Sequence, residues 1–212
     1  MHPPIKHLNL QMAPKGDVTQ PFGWNPALYA RFGLNGHNGI DLVRPHGDPL
    51  YAIEDGTVVQ VDDDPAGFGK VVRFISDAKN ERGYHREWVY GHNSKNYVRV
   101  GDEVKAGQHI ADIGNTGFVV SNSTGNGFWR VNPFAGTHLH LGLRETRIMK
   151  KGGWSYEGSQ IKQDTVNYGN GYKGAIDPWP ILKEIESTAP EENKSLFQKI
   201  LRLRDILNRF RV

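Results

Sequence analysis

A chain of 212 residues with 25 Gly, 12 Pro, no Cys and a net charge of +3 suits one domain with elaborations, long enough to bury a core. Glycine stands above the roughly 7% norm and, with the prolines, points to a turn-rich, mainly β protein, while the lack of Cys excludes disulfides and thiolate ligands and leaves imidazole, carboxylate and water for any metal. No run reaches the roughly 18 apolar residues of a membrane-spanning helix, and the charge excess falls wholly in residues 191–212, where Lys194, Lys199, Arg202, Arg204, Arg209 and Arg211 stand against Glu191, Glu192 and Asp205, so the body is not read as a nucleic-acid binder.

In chain order, residues 1–17 read as an N-terminal arm, and irregular sequence continues to Gly36. Met1-His2-Pro3-Pro4-Ile5-Lys6 lacks the apolar core of a secretory leader. In the next run, Gly36-His37-Asn38-Gly39-Ile40-Asp41, the glycines and the Ile and Val that follow favour strand or turn over helix. In extended chain the even spacing then sets His37 and Asp41 on one face. Leu50 to Val61 and Lys70 to Ser76 are strand candidates, split by a solvated turn at Asp62-Asp63-Asp64-Pro65-Ala66-Gly67. That turn resembles a calcium loop only superficially, because no Glu stands at the required later position. Glu87 to His92 and Lys95 to Val100 are two further strands, and Val100 to Gly114 forms a strand-turn-strand corner.

Two long loops, residues 117–136 and 145–176, are rich in Gly, Asn and aromatics, and loops of that length in a compact domain are often functional. Phe128, Trp129, Arg130 and Phe134 are expected on one wall of a cleft, and Trp154, Tyr156, Tyr168 and Tyr172 on another. Between the loops stands His138-Leu139-His140, whose two imidazoles share one side of a strand while Leu139 points the other way. At the end, Thr188-Ala189-Pro190-Glu191 fits a capping box, and Leu196, Ile200, Leu203, Leu207 and Phe210 recur at helical spacing. Residues 183–212 are therefore predicted to hold a basic amphipathic helix, packed on its own body, on a second subunit or on an anionic envelope surface.

Together the His-x-His and His-x-x-x-Asp runs supply the ligands of a catalytic zinc site, since a hydrolytic zinc needs three protein ligands and a position left for water. His2, His7, His46, His85 and His109 lie outside any such run and read as structural or solvent-facing. Tyr90 reads as a packing residue of its strand, and Asn115-Thr116 as a turn.

The ordered set Gln20-Pro21-Phe22-Gly23, Gly36 to Asp41, Pro49-Leu50-Tyr51-Ala52 with Asp55-Gly56-Thr57-Val58, Tyr90-Gly91-His92, Val100 to Val104 with Ala106-Gly107-Gln108, Gly114-Asn115-Thr116-Gly117 and Thr137-His138-Leu139-His140 resembles the lysostaphin-type, LytM-like zinc peptidases over about Val18 to Leu182. The resemblance implies a mainly antiparallel β-sandwich or half-barrel of the duplicated hybrid motif type, with long loops walling a groove. It implies one zinc per chain on His37, Asp41 and His140, with His92 and His138 off the metal and facing the substrate as proton carriers. It implies hydrolysis of peptide cross-links or stems of bacterial peptidoglycan, at a D-amino-acid cross-link or a glycine bridge. The glutamate of His-Glu-x-x-His is absent, which leaves proton transfer to the histidines.

The chain departs from the family at Trp24-Asn25-Pro26 and in the length of the interval from Gly117 to His138. An enzyme of the cell wall without a leader is expected to be phage-delivered, leaderless or a mature form. The alternative is a catalytically inactive LytM-like activator of wall hydrolases, which the five retained positions disfavour. A lipoyl-type carrier, suggested by Val100 to Gln108, lacks the lysine hairpin tip it would need.

Overall fold

The computed structural model describes residues 1–119, 134–149 and 162–188. Along them run β1 (Val18–Gln20), α1 (Pro26–Tyr29), a 3-10 turn (Ala30–Phe32), β2 (Ile40–Leu42), β3 (Pro49–Tyr51), β4 (Gly56–Asp64), β5 (Gly69–Lys79), β6 (His85–Asn93), β7 (Lys95–Asn96), β8 (Glu103–Val104), β9 (His109–Asp112), β10 (Leu139–Met149), β11 (Lys162–Thr165) and α2 (Trp179–Thr188). The large sheet is antiparallel in the order β1-β2-β10-β6-β5-β4-β8, with β11 on the far end of β10, and a smaller sheet runs β3-β9-β7. The architecture is the open, mainly antiparallel β fold expected from the sequence.

Alternation along the central strands sorts the two faces of the large sheet. Leu139, Leu141 and Leu143 of β10 join Trp88 and Tyr90 of β6, Val72 and Phe74 of β5 and Ile40 and Leu42 of β2 in one core. The residues between them, His140, Gly142 and Arg144, pair across to Gly91, Val89 and Glu87 of β6 and take the opposite face. Each fully buried leucine contributes about 1.5–3 kcal/mol of burial free energy. Leu141→Ala is therefore expected to lower unfolding free energy by about 2–5 kcal/mol in urea titration, with no change in the ligands the opposite face presents.

The core also draws on both ends of the described chain. Ile5, Leu10 and Val18 are buried in it, so the first residues, irregular as expected, are packed on the body. At the other end Asp177 Oδ1 accepts the Trp179 N–H at 2.9 Å and starts α2, which buries Leu182 and Ile185 and reaches Leu10 N–H through Glu186 at 2.8 Å.

Four expectations change in detail. The segment Leu50 to Val61 is two strands, β3 and β4, in different sheets, because the chain turns at Asp55. Asp62 to Asp64 extend β4, paired with Val71, Lys70 and Gly69, and the turn lies beyond them. Lys95 to Val100 is a strand only at Lys95–Asn96. The stretch 145–176 is not one loop, since β10 runs on to Met149 and β11 pairs back onto it. Polar residues on the solvent face of a sheet imitate loop composition, and pairing partners distant in sequence decide the matter. The periodic segment 191–212 lies outside the described residues.

Candidate metal centre and groove

The three strands that meet at the site are β2, β10 and β6. Asp41 of β2 pairs with His140 of β10, which pairs on its other side with Gly91 of β6, one residue before His92. His37 stands in the turn ahead of β2, so the His-x-x-x-Asp pair closes by a bend rather than along a strand. Gly39 is required in that bend, because a Cβ there would lie 2.7 Å from the His140 ring.

Side-chain positions follow from these placements. His37 Nε2, Asp41 Oδ1 and His140 Nδ1 form a buried triangle with edges of 2.9 Å (His37 to His140), 3.1 Å (His37 to Asp41) and 3.2 Å (His140 to Asp41). His138 Nε2 lies outside it, 3.6 Å from Asp41 Oδ1. The His92 ring sits 4.7 Å from that of His138 and 6.0 Å from that of His140, centroid to centroid. The structure thus gathers all five residues singled out in the sequence.

The tautomers are set by backbone carbonyls, which only accept. Nδ1 of His37 donates to Pro21 O at 3.1 Å, Nδ1 of His92 to Thr116 O at 2.8 Å, and Nδ1 of His138 to Gly136 O at 2.6 Å. Each therefore keeps an Nε2 lone pair. His140 is turned the other way, with Nδ1 in the triangle and a buried Nε2 that has no partner among the described residues. Lone pairs of imidazole and carboxylate crowded to about 3 Å repel unless a cation or proton lies among them. Ligand bonds of about 2.0 Å in tetrahedral geometry would separate donor atoms by about 3.3 Å, so the triangle fits zinc.

Electrostatics agree with this arrangement. Burial opposes ionisation of Asp41, but the imidazoles of His37, His138 and His140 that face it outweigh burial and hold the carboxyl well below its ordinary range. Burial, then His138 and His140, push the His92 imidazole well below the usual histidine value. Burial likewise brings His140 down to about 4. Both are therefore neutral near pH 7, as ligand and proton acceptor must be.

Beside the triangle opens a cavity of about 960 Å³, lined among others by Phe32, Asn38, Phe68, Phe118, Arg144 and Tyr168. Of the expected walls, Tyr168 lines it, Tyr172 packs on Phe22 at 4.7 Å, and Phe134 is exposed and meets the His46 ring at 5.4 Å. Phe128, Trp129, Arg130, Trp154 and Tyr156 lie outside the described residues. Tyr90 is consumed by the core, its hydroxyl donating to Tyr51 O at 2.9 Å.

Two contributors were not evident in the sequence. Thr116 carries the carbonyl that orients His92, and its hydroxyl donates to Asn93 O and accepts the Lys70 N–H, so the turn read at Asn115-Thr116 is also a support for His92. Tyr29 stacks on His37 at 5.1 Å and bonds Gln20 Nε2 through its hydroxyl. Burial and the Asp41 charge push its phenol well above its ordinary value, which keeps a proton-bearing hydroxyl on the cavity wall. Only the Gly-Asn-Thr-Gly and Gln-Pro-Phe-Gly motifs hinted at such supports, because carbonyl contacts are independent of side-chain type.

Residues 35–153 match the model of Peptidase family M23. The chain belongs to peptidase family M23. The resemblance to lysostaphin-type proteins is thereby borne out. The M23 chain is 41% identical over 88 residues to the glycyl-glycine endopeptidase ALE-1 of Staphylococcus capitis, covering 41% of this chain and 23% of that protein. It is 37% identical over 103 residues to the murein hydrolase activator NlpD of Escherichia coli, covering 49% of this chain and 24% of that one. It thus spans about a quarter of the length of either relative. The solved structure of LytU superposes with a TM-score of 0.51 at 27% identity, covering 83% of this chain and 91% of that one.

Proposed function

We propose that the chain is a zinc-dependent endopeptidase that hydrolyses the peptide part of bacterial peptidoglycan and acts at the cell wall, as a phage-type lysin would. The observation that carries this reading is the buried triangle of His37, Asp41 and His140 with the His92 and His138 rings beside it at an open groove. Zinc held by those three side chains would acidify a water and polarise the scissile carbonyl.

The remaining work falls to the chain's own residues. Asp41 stays ionised, the Pro21 carbonyl leaves His37 Nε2 a lone pair, and His140 Nδ1 faces the same point, so the donor atoms are already gathered for the metal. His92 and His138 each hold Nδ1–H on a backbone carbonyl, which frees Nε2 to take a proton from the attacking water and return it to the leaving amine. Phe32, Phe118 and Tyr168 shield the groove and give an extended peptide apolar walls.

Likeness to a glycyl-glycine endopeptidase supports a peptidoglycan peptide bond as the target. Likeness to NlpD supports a second reading, a non-hydrolytic activator of other wall enzymes. Incubation with bacterial sacculi, with and without a chelator, followed by mass spectrometry of released fragments separates the two. Chelator-sensitive release of new peptide termini is expected and names the bond. Intact sacculi in the presence of bound zinc, together with stimulation of a separate wall hydrolase, would move the assignment to the activator.

A further inference from the structure

We propose that Asn38 is a substrate-binding residue of the groove, its side-chain amide pairing with a peptide group of the bound chain beside the bond held at His37, Asp41 and His140. The inference rests on the peptidase reading above and adds to it a grip on the substrate backbone.

Asn38 follows His37 directly, so the two Cα atoms are about 3.8 Å apart. It lines the same cavity as Asp41, His138 and His140. Its amide makes no hydrogen bond among the described residues, and although only 7% of the residue is exposed, neither amide atom is sealed from solvent. The little surface that Asn38 shows therefore includes the amide, and it is shown to the groove.

No structural duty accounts for an asparagine at this place. The other two asparagines buried among the described residues are bonded: Asn93 Nδ2 donates to Tyr90 O at 3.0 Å and to Asn96 Oδ1 at 2.9 Å, and Asn115 Nδ2 donates to Ala135 O at 2.9 Å. Turn asparagines elsewhere hold their own turns, Asn80 accepting the N–H groups of Arg82 and Tyr84, and Asn170 those of Tyr172 and Gly174. Left-handed backbone explains Asn25 and Asn167, at φ 54° and 53°, but Asn38 is not in that region. An apolar side chain of the same size would occupy a place this enclosed at lower cost, so the amide serves a ligand rather than the fold.

The chemistry of the amide names the ligand group. It carries two N–H donors and a carbonyl acceptor, the complement of the C=O and N–H of a peptide. Water satisfies both ends in the free protein, and a bound chain exchanges that water for a matched pair of bonds. Gln20, the side-chain amide that lines the cavity next to Asp41 in the register of β1 and β2, is already taken up by the Tyr29 hydroxyl and by Asn25 Nδ2. Pairing with backbone is indifferent to the side chain of the substrate residue, so the same grip serves a glycine bridge and a stem peptide.

Calorimetric titration tests this on the zinc-loaded full chain, as wild type, Asn38→Leu and Asn38→Ala, with end-blocked pentaglycine and with the cross-linked stem-peptide dimer as probes. The wild type is expected to bind at least one probe, and each variant to bind that probe at least about tenfold more weakly with zinc content and thermal midpoint unchanged. For a probe that is cut, the loss is read in KM rather than kcat. Wild-type affinity in either variant overturns the contact, and so does failure of the wild type to bind both probes. Weakening accompanied by loss of zinc also overturns it, because Asn38 would then be a support for His37. A tenfold loss in a chain that leaves sacculi uncut would keep the Asn38 contact and sink the peptidase reading, while cutting with equal affinity would do the reverse.

Discussion

Asp41→Ala is expected to yield folded protein that retains almost no zinc after dialysis and hydrolyses peptide at least about a thousandfold more slowly, a loss of about 4 kcal/mol in the transition state. The carboxylate supplies the only anionic corner of the triangle, 3.1 Å from His37 Nε2 and 3.2 Å from His140 Nδ1. Two neutral imidazoles remain in the variant, and a site with two protein ligands does not hold a hydrolytic zinc. Elemental analysis beside a rate assay on soluble peptide gives the answer. Stoichiometric zinc with wild-type turnover in Asp41→Ala would remove the triangle from the mechanism. His140→Ala should behave in the same way.

The histidines beside the triangle should behave differently. His92→Ala and His138→Ala are each expected to keep zinc at full occupancy while turnover falls about a hundredfold to ten-thousandfold, the range for loss of a positioned acid or base. Release of zinc by His138→Ala would instead show that the ligands within His138-Leu139-His140 are assigned the wrong way round. The pH profile supplies a second test. Burial, with His138 and His140 close by, lowers the His92 value, so its neutral, proton-accepting form persists as pH falls. The acid limb of activity is expected below the ordinary histidine value of about 6.5. A limb at or above that value would mean that His92 is not the base.

Four of the five residues of the site could be read from the chain because their spacing coincides with elementary backbone periodicity, and His92 was read from its Tyr90-Gly91-His92 motif. His138 and His140 are two apart at the start of a strand, and Asp41 closes a run whose glycines permit the bend that brings His37 back. The β class followed from glycine content, turn signals and alternation. Arg144 obeys the same alternation, four residues beyond His140, yet stood out little in the sequence because an arginine in a strand is usually a solvated side chain. Its ionic neighbour Glu87 lies far away along the chain and stands opposite it only in the folded register.

The sequence alone determined the kinds of group available, histidine, carboxylate and no thiol, and their order along strands whose leucines had to face a core. That much is local: side chains alternate in a strand and apolar ones leave water. Tertiary structure decided the rest. It set which nitrogen of His37, His92 and His138 carries the proton, because the choice lies with carbonyls of Pro21, Thr116 and Gly136. It also set which strands adjoin, because β2, β10 and β6 are neighbours only after distant segments pair. Hydrogen bonds to backbone and registers between remote strands leave little mark on residue type, and on those two kinds of contact the geometry of the site depends.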